Sequence, residues 1–337
     1  MVRAGLLSNR LAWGLVPAAL LTLSCDTMEP ITEPFTLADE TVVSVAQLEN
    51  GREKYVLYCR ACHGEQGDGR GPAGIGMRPP PRNFKEGYFK FGGVAAGELP
   101  PDSEIKRIVL GGLEGTAMLP WKIPEKDLDD VIQYIKTFAV DEDGANIWQE
   151  DEPGELIEIP EDPWAGKKAE AIARGKSVYH GLAQCLKCHP AYGTYQEIWD
   201  ATAEATGQGS TSAFRKGMYY PEAKYADAYG HKLLPPDFTR HPIKAGATPK
   251  DIYRTIAAGI GGTAMPMWKG SIPDEDIYAI SYFVADLYTM DGEASKKARE
   301  AWLAQPEFVP PTPPEEGAEG AEGEDAEGDD DDEAEEQ

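Results

Sequence analysis

The chain has 337 residues, 41% of them hydrophobic, with 32 basic and 58 acidic side chains and a formal net charge of -26. That length suits two modest domains once a leader and tails are set aside. The charge excludes sequence-independent nucleic-acid binding, because phosphates would be repelled.

Arg3 and Arg10 precede an apolar run from Leu11 to Ser24 that contains Pro17. The run is too short to span a bilayer as a helix, which needs about 20 apolar residues. A basic start, a short apolar middle and small residues at the end describe an export signal over residues 1–24. Leu23-Ser24-Cys25 resembles a bacterial lipobox, although Thr22 stands where that motif has an aliphatic residue. The resemblance implies acylation of Cys25 and a lipid anchor, and Asp26 after it resembles an inner-membrane retention signal, so the expected place is the periplasmic side of the cytoplasmic membrane. Simple cleavage nearby, leaving Cys25 free, is the other reading. Residues 25–44 hold Pro30, Pro34 and little periodicity, and are expected to be a tether.

Beyond the tether the chain repeats itself. The first copy, 45–143, carries Cys59-Arg60-Ala61-Cys62-His63, then Pro80-Pro81-Arg82-Asn83-Phe84, then Gly115-Thr116-Ala117-Met118. The second, 166–304, carries Cys185-Leu186-Lys187-Cys188-His189, then Pro235-Pro236-Asp237-Phe238, then Gly262-Thr263-Ala264-Met265-Pro266-Met267. Each has Gly-x-x-x-Tyr before its cysteines, Gly51 to Tyr55 and Gly175 to Tyr179. The second copy is longer, mainly through an expected loop insertion near 193–232. Residues 144–165 are acidic, contain Pro153, Pro160 and Pro163, and form the expected linker. Residues 305–337 begin Pro-rich and end in a stretch whose 14 acids face no Lys or Arg, so disorder is expected there.

The regular structure is predicted to be all-α. Ile105, Ile108 and Val109 follow helical spacing, as do Leu128, Val131, Ile132 and Ile135. Ile277, Ile280, Ser281 and Val284 repeat the second pattern with a serine in the stripe. Acids after Pro124 and Pro273 sit where a positive helix end favours them.

C-x-x-C-H is a covalent haem attachment signature. Two thiols must reach two vinyl groups of one porphyrin, and the adjacent imidazole then projects at the iron. Cys59, Cys62, Cys185 and Cys188 are thus candidates to bind two haem c groups, with His63 and His189 as iron ligands. A zinc site built from both pairs would need spacings far beyond the usual ones. A redox dithiol would need a βαβ context that the pattern lacks. Met118 and Met265 are the candidate sixth ligands, in matching contexts, with Met77 and Met267 as local competitors. Methionine is otherwise core filler. After Cys25 and the four haem thiols no cysteine remains for a His/Cys-ligated iron.

Over roughly 45–304 the chain resembles a dihaem class I cytochrome c of bacterial lipoprotein type, two fused monohaem domains. Cys59 to Gly64 followed by Gly67-Asp68-Gly69-Arg70-Gly71-Pro72 is typical of that family; Pro190 after His189 departs from it. The resemblance implies about three main helices around each haem, with Trp121 and Trp268 at the haem edge and Arg82 near a propionate. It implies a single-electron carrier rather than an enzyme, exchanging electrons with redox proteins of a respiratory or oxidoreductase complex. A dihaem peroxidase is the alternative.

Overall fold

The computed structural model describes residues 28–87, 89–215, 217–228 and 230–311. The leader, Cys25 and the acidic tail lie outside the described residues. Among the described residues the fold is all-α, with a two-residue antiparallel strand pairing of Phe35–Thr36 with Val42–Val43. No helix among the described residues is long and apolar enough to cross a membrane. The chain divides into two compact units. One takes the residues up to Phe89 with Glu98–Gly112 and Ala117–Gly154; the other takes Lys90–Gly97, Leu113–Thr116 and the chain from Glu155 on.

In the first unit α1 (Val45–Tyr58) starts at a capping box, in which Ser44 and Gln47 satisfy each other's backbone N–H groups. After α2 (Arg60–His63) and α3 (Asp102–Gly111), α4 (Glu125–Lys136) packs across α1. The crossing is tight because Gly51 has no side chain: a methyl there would overlap the Asp130 carbonyl oxygen. The stripe on α4 is buried as its spacing requires. Leu128 and Ile132 enter one apolar cluster with Leu99, Ile105 and Trp148; Val131 and Ile135 enter another with Tyr55, Phe84 and half-buried Cys59.

The second unit repeats the pairing. α6 (Lys168–His180) crosses α9 (Asp274–Tyr288), and Gly175 meets the Ala279 carbonyl as Gly51 meets Asp130. The serine in the α9 stripe is fully buried and harmless, because Ser281 Oγ donates to the Ile277 carbonyl at 2.8 Å. α8 (Pro249–Ala258) packs on α9, with Tyr253 and Tyr278 stacked at 4.3 Å.

Four stretches expected to be connecting chain or tail carry packed structure. Val43, in the expected tether, is 2% exposed. The expected linker contains α5 (Ile147–Glu150), whose Trp148 is 2% exposed beneath the Lys136 ammonium. The insertion contains α7 (Tyr195–Thr206), capped by Thr194 and Glu197. Beyond α10 (Gly292–Leu303), Gln305 bonds Tyr219 and Tyr195, and the Phe308 ring lies 5.5 Å from that of Trp199. The insertion packs Ile198, Met218 and Tyr219 into the core of its unit, at spacings that match no single helical stripe.

Candidate functional site

α1 runs directly into the first C-x-x-C-H. Cys59 is both the last cap of α1 and the first of α2, and the N–H groups of Cys62 and His63 bond back to its carbonyl at 3.1 and 2.9 Å. One turn of backbone therefore carries Cys59, Cys62 and His63, with the two thiols three residues apart on one face. Gly69, Gly71 and Ala73 bond the carbonyls of His63, Cys62 and Ala61, tying the glycine-rich loop under the turn. Gly71 has to be glycine: a Cβ there would run into the carbonyl oxygens of Arg60 and Ala61.

His63 is held on two sides. Its Nδ1 lies 3.0 Å from the Arg82 carbonyl oxygen, and its ring stacks on Phe84 with centroids 4.5 Å apart. A carbonyl only accepts, so Nδ1 carries the proton and Nε2 keeps its lone pair. Burial pushes the imidazole pKa below its ordinary value, so the ring is neutral, the form that ligates metal. Tyr55, buried at the end of α1, donates its phenol to the Gly64 carbonyl at 2.8 Å.

The second copy reproduces the histidine and tyrosine bonds of the first. Cys185–Lys187 form a 3-10 turn, and Cys188 and His189 bond back to the Cys185 carbonyl at 3.1 and 2.9 Å. His189 Nδ1 donates to the Pro236 carbonyl at 3.1 Å, its ring stacks on Phe238 at 4.8 Å, and burial again lowers its pKa. Tyr179 donates to the carbonyl of Pro190 at 2.8 Å. In both copies the residue after the histidine accepts the tyrosine, and the carbonyl two before the phenylalanine accepts the histidine. Where the first copy uses its glycine-rich loop, the second uses the insertion: the Cys188 carbonyl accepts from Glu222 N–H at 3.0 Å.

The methionine turns also match. Gly112 and Gly259 end α3 and α8 at φ of 67° and 74°, a left-handed conformation open to glycine. Thr116 and Thr263 each close the following turn, Oγ1 donating to Leu113 and to Ile260 at 2.7 Å. Met118 and Met265 are half-buried and belong to the same units as His63 and His189. Met265 packs on the core cluster of its unit, whereas Met267 is 39% exposed. Trp268 is half-buried against that cluster; Trp121 is 38% exposed, edge-on to Tyr58 at 5.7 Å. His180, outside the motif, is fully satisfied, with Nδ1 bonding the Lys176 carbonyl at 2.7 Å and Nε2 accepting from Tyr192 N–H at 3.0 Å.

The donor set discriminates between chemistries. Burial pushes the Cys59 and Cys185 thiols up to about 12, with the neighbouring cysteines adding to it. No group of three or more metal-ligating side chains occurs among the described residues. Two thiols on one turn with an adjacent imidazole whose Nδ1 is tied to a carbonyl fit covalent attachment of a haem.

Residues 46–135 match the family model described as cytochrome C oxidase, cbb3-type, subunit III. No curated protein matches the chain. Among solved structures, a chain of the Kuenenia stuttgartiensis reducing HAO-like protein complex is similar, at 28% identity and a TM-score of 0.56. The likeness covers 71% of this chain and 96% of that one. The matched residues thus form a cytochrome c-type domain, which implies covalently bound haem c and a role in electron transfer.

Proposed function

We propose that the chain is a dihaem electron carrier, anchored through lipid on Cys25 to the periplasmic side of a bacterial cytoplasmic membrane. In this reading Cys59 and Cys62 hold one haem c, Cys185 and Cys188 the other. His63 with Met118, and His189 with Met265, ligate the two irons. The haems supply one-electron Fe(III)/Fe(II) chemistry; the protein binds them, sets the imidazole orientation and limits water. Each histidine's Nδ1–H is committed to a carbonyl, which fixes the tautomer that leaves Nε2 for iron and makes the ring a better donor.

The observation that carries the reading is the duplication of that hydrogen bond and ring stack, His63 on Arg82 and Phe84, His189 on Pro236 and Phe238. A family match over one copy combined with the same geometry in the other argues for two haems. The solved chain it resembles belongs to a complex described as reducing and HAO-like, which supports a place for this protein as an electron-transfer subunit beside redox partners. A dihaem peroxidase would need one iron with an open position; the matched methionine turns favour two filled ones.

A redox titration of the purified mature protein, followed optically and by EPR, tests the reading. Two low-spin haems that cycle reversibly and ignore peroxide are expected. A high-spin haem that turns over peroxide would establish the enzyme instead. A mass for the mature chain lacking an acyl group on Cys25 would remove the anchor.

A further inference from the structure

The two histidine-supporting turns share their core geometry and differ in what holds them. In the first copy the residue after the acceptor carbonyl is Asn83, which bonds within its own turn, to Lys85 N–H at 3.0 Å and Glu86 Oε1 at 2.8 Å. In the second it is Asp237, 3% exposed. Its Oδ1 accepts from the Tyr192 phenol at 3.1 Å, Thr239 N–H at 3.2 Å and Thr239 Oγ1 at 2.9 Å. Its Oδ2 is ion-paired with Arg299, itself 5% exposed. Arg299 comes from α10, and its guanidinium also donates to the Tyr219 carbonyl in the insertion. One turn earlier on α10, Ser295 Oγ donates to Thr239 Oγ1 at 2.6 Å. The backbone is tied as well: Phe238 N–H donates to Tyr192 Oη at 2.8 Å, and Asp237 N–H to His241 Nδ1 at 2.9 Å.

Burying an ion pair is costly, and such a pair is weak evidence for stability. What it supplies here is a fixed position. The fork of Arg299 joins α10, the insertion and the residue next to the Pro236 carbonyl, the atom on which His189 rests.

We infer that Arg299 and Asp237 are positioning residues for His189, and that this clamp makes the two haem sites electronically inequivalent. The inference rests on the dihaem reading above. A carbonyl held still keeps the Nδ1–H bond in place and the imidazole electron-rich, which favours ferric iron. The clamp therefore lowers the reduction potential of the second haem below the value that site would have without it.

The test uses the full mature chain carrying Asp237→Asn and Arg299→Gln together. The pair is replaced by neutral groups, so net charge is unchanged, and position 237 takes the amide found at 83. Haem content is read by mass and alkaline pyridine spectrum, the two potentials by titration, and each ferric centre by EPR. The expected result is two haems, one potential raised with its EPR g values shifted, and the other haem unchanged. The moved haem must be the one that responds to Met265→Ala. A lower melting temperature with both potentials and both EPR signals unchanged would reduce the clamp to a structural role and overturn the inference. Fewer than two haems in the unmodified protein would defeat the dihaem reading instead. Where the double variant does not fold, Arg299→Lys decides: it keeps the charge, loses the fork, and should shift the same potential in the same direction by a smaller amount.

Discussion

Gly51 on α1 lies so close to the Asp130 carbonyl on α4 that a methyl group would overlap it. Gly175 and Ala279 stand in the same relation where α6 crosses α9. An alanine in mid-helix would ordinarily gain about 1 kcal/mol over glycine. Here the obstacle is backbone, which cannot rotate away, so overpacking of about 1–3 kcal/mol or more should prevail. Gly51→Ala and Gly175→Ala are each expected to lower the denaturant midpoint of the haem-loaded protein. An unchanged or raised midpoint would mean the helices do not cross this closely.

The tyrosines four residues further on bolt the crossing helices to the C-x-x-C-H turns. Tyr55 and Tyr179 are both 1% exposed, and burial raises both phenols above their ordinary pKa. Replacing either with phenylalanine leaves the Gly64 or Pro190 carbonyl without its phenol donor. A loss of about 1–3 kcal/mol is expected at Pro190, from a buried acceptor left unpaired, and a smaller one at Gly64, whose carbonyl keeps a long bond from Gly67 N–H at 3.5 Å. Stability equal to wild type in urea unfolding would show that water or a shifted backbone satisfies the carbonyl.

The tyrosines also show where sequence reading stops. The repeat of Gly-x-x-x-Tyr is visible in the chain, as are the C-x-x-C-H pairs and the methionine turns. The glycine's partner lies on a helix about 80 residues or more away, so the repeat could be seen but its purpose could not. The α4 stripe is legible because four apolar residues obey one period. Residues 193–232 are rich in Tyr, Ala and Gly, a composition that suggests a loop, although Thr194 and Glu197 already spell the capping box of α7. Arg299 leaves no signal at all. A charged residue on a polar helix reads as solvated, and its burial depends on Asp237, 62 positions earlier.

His180 gives the protein a pH dependence with a definite sign. Burial lowers its pKa from 6.5 to about 4, and the bonds to Lys176 and Tyr192 use both ring nitrogens in the neutral form. The unfolded chain binds this proton near pH 6.5 while the folded chain refuses it until about pH 4. Stability is therefore present above pH 6.5 and is lost as pH falls through this window, by about 3 kcal/mol at most. His180→Gln should be less stable than wild type at pH 7.5, yet its stability should fall less between pH 6.5 and 4.5. Comparing slopes within the pair cancels the carboxylates that titrate in both. Parallel stability curves would mean that His180 is protonated normally in the fold.

The methionine assignments can be separated from simple packing by what each substitution does to the iron. A thioether ligand raises the potential of a His-ligated haem. Met118→Ala and Met265→Ala should each lower one potential, leave the other, and remove about half of the long-wavelength absorption that marks sulfur bound to ferric haem. A core methionine lost from the same place would cost stability and leave the spectrum intact. Met267 is the internal control, because it stands two residues from Met265 but is exposed. Met267→Ala should be silent in both readouts. If Met267→Ala removes the absorption and Met265→Ala does not, the second iron takes its sulfur from the exposed residue. The turn closed by Thr263 would then have to open to bring that residue inward.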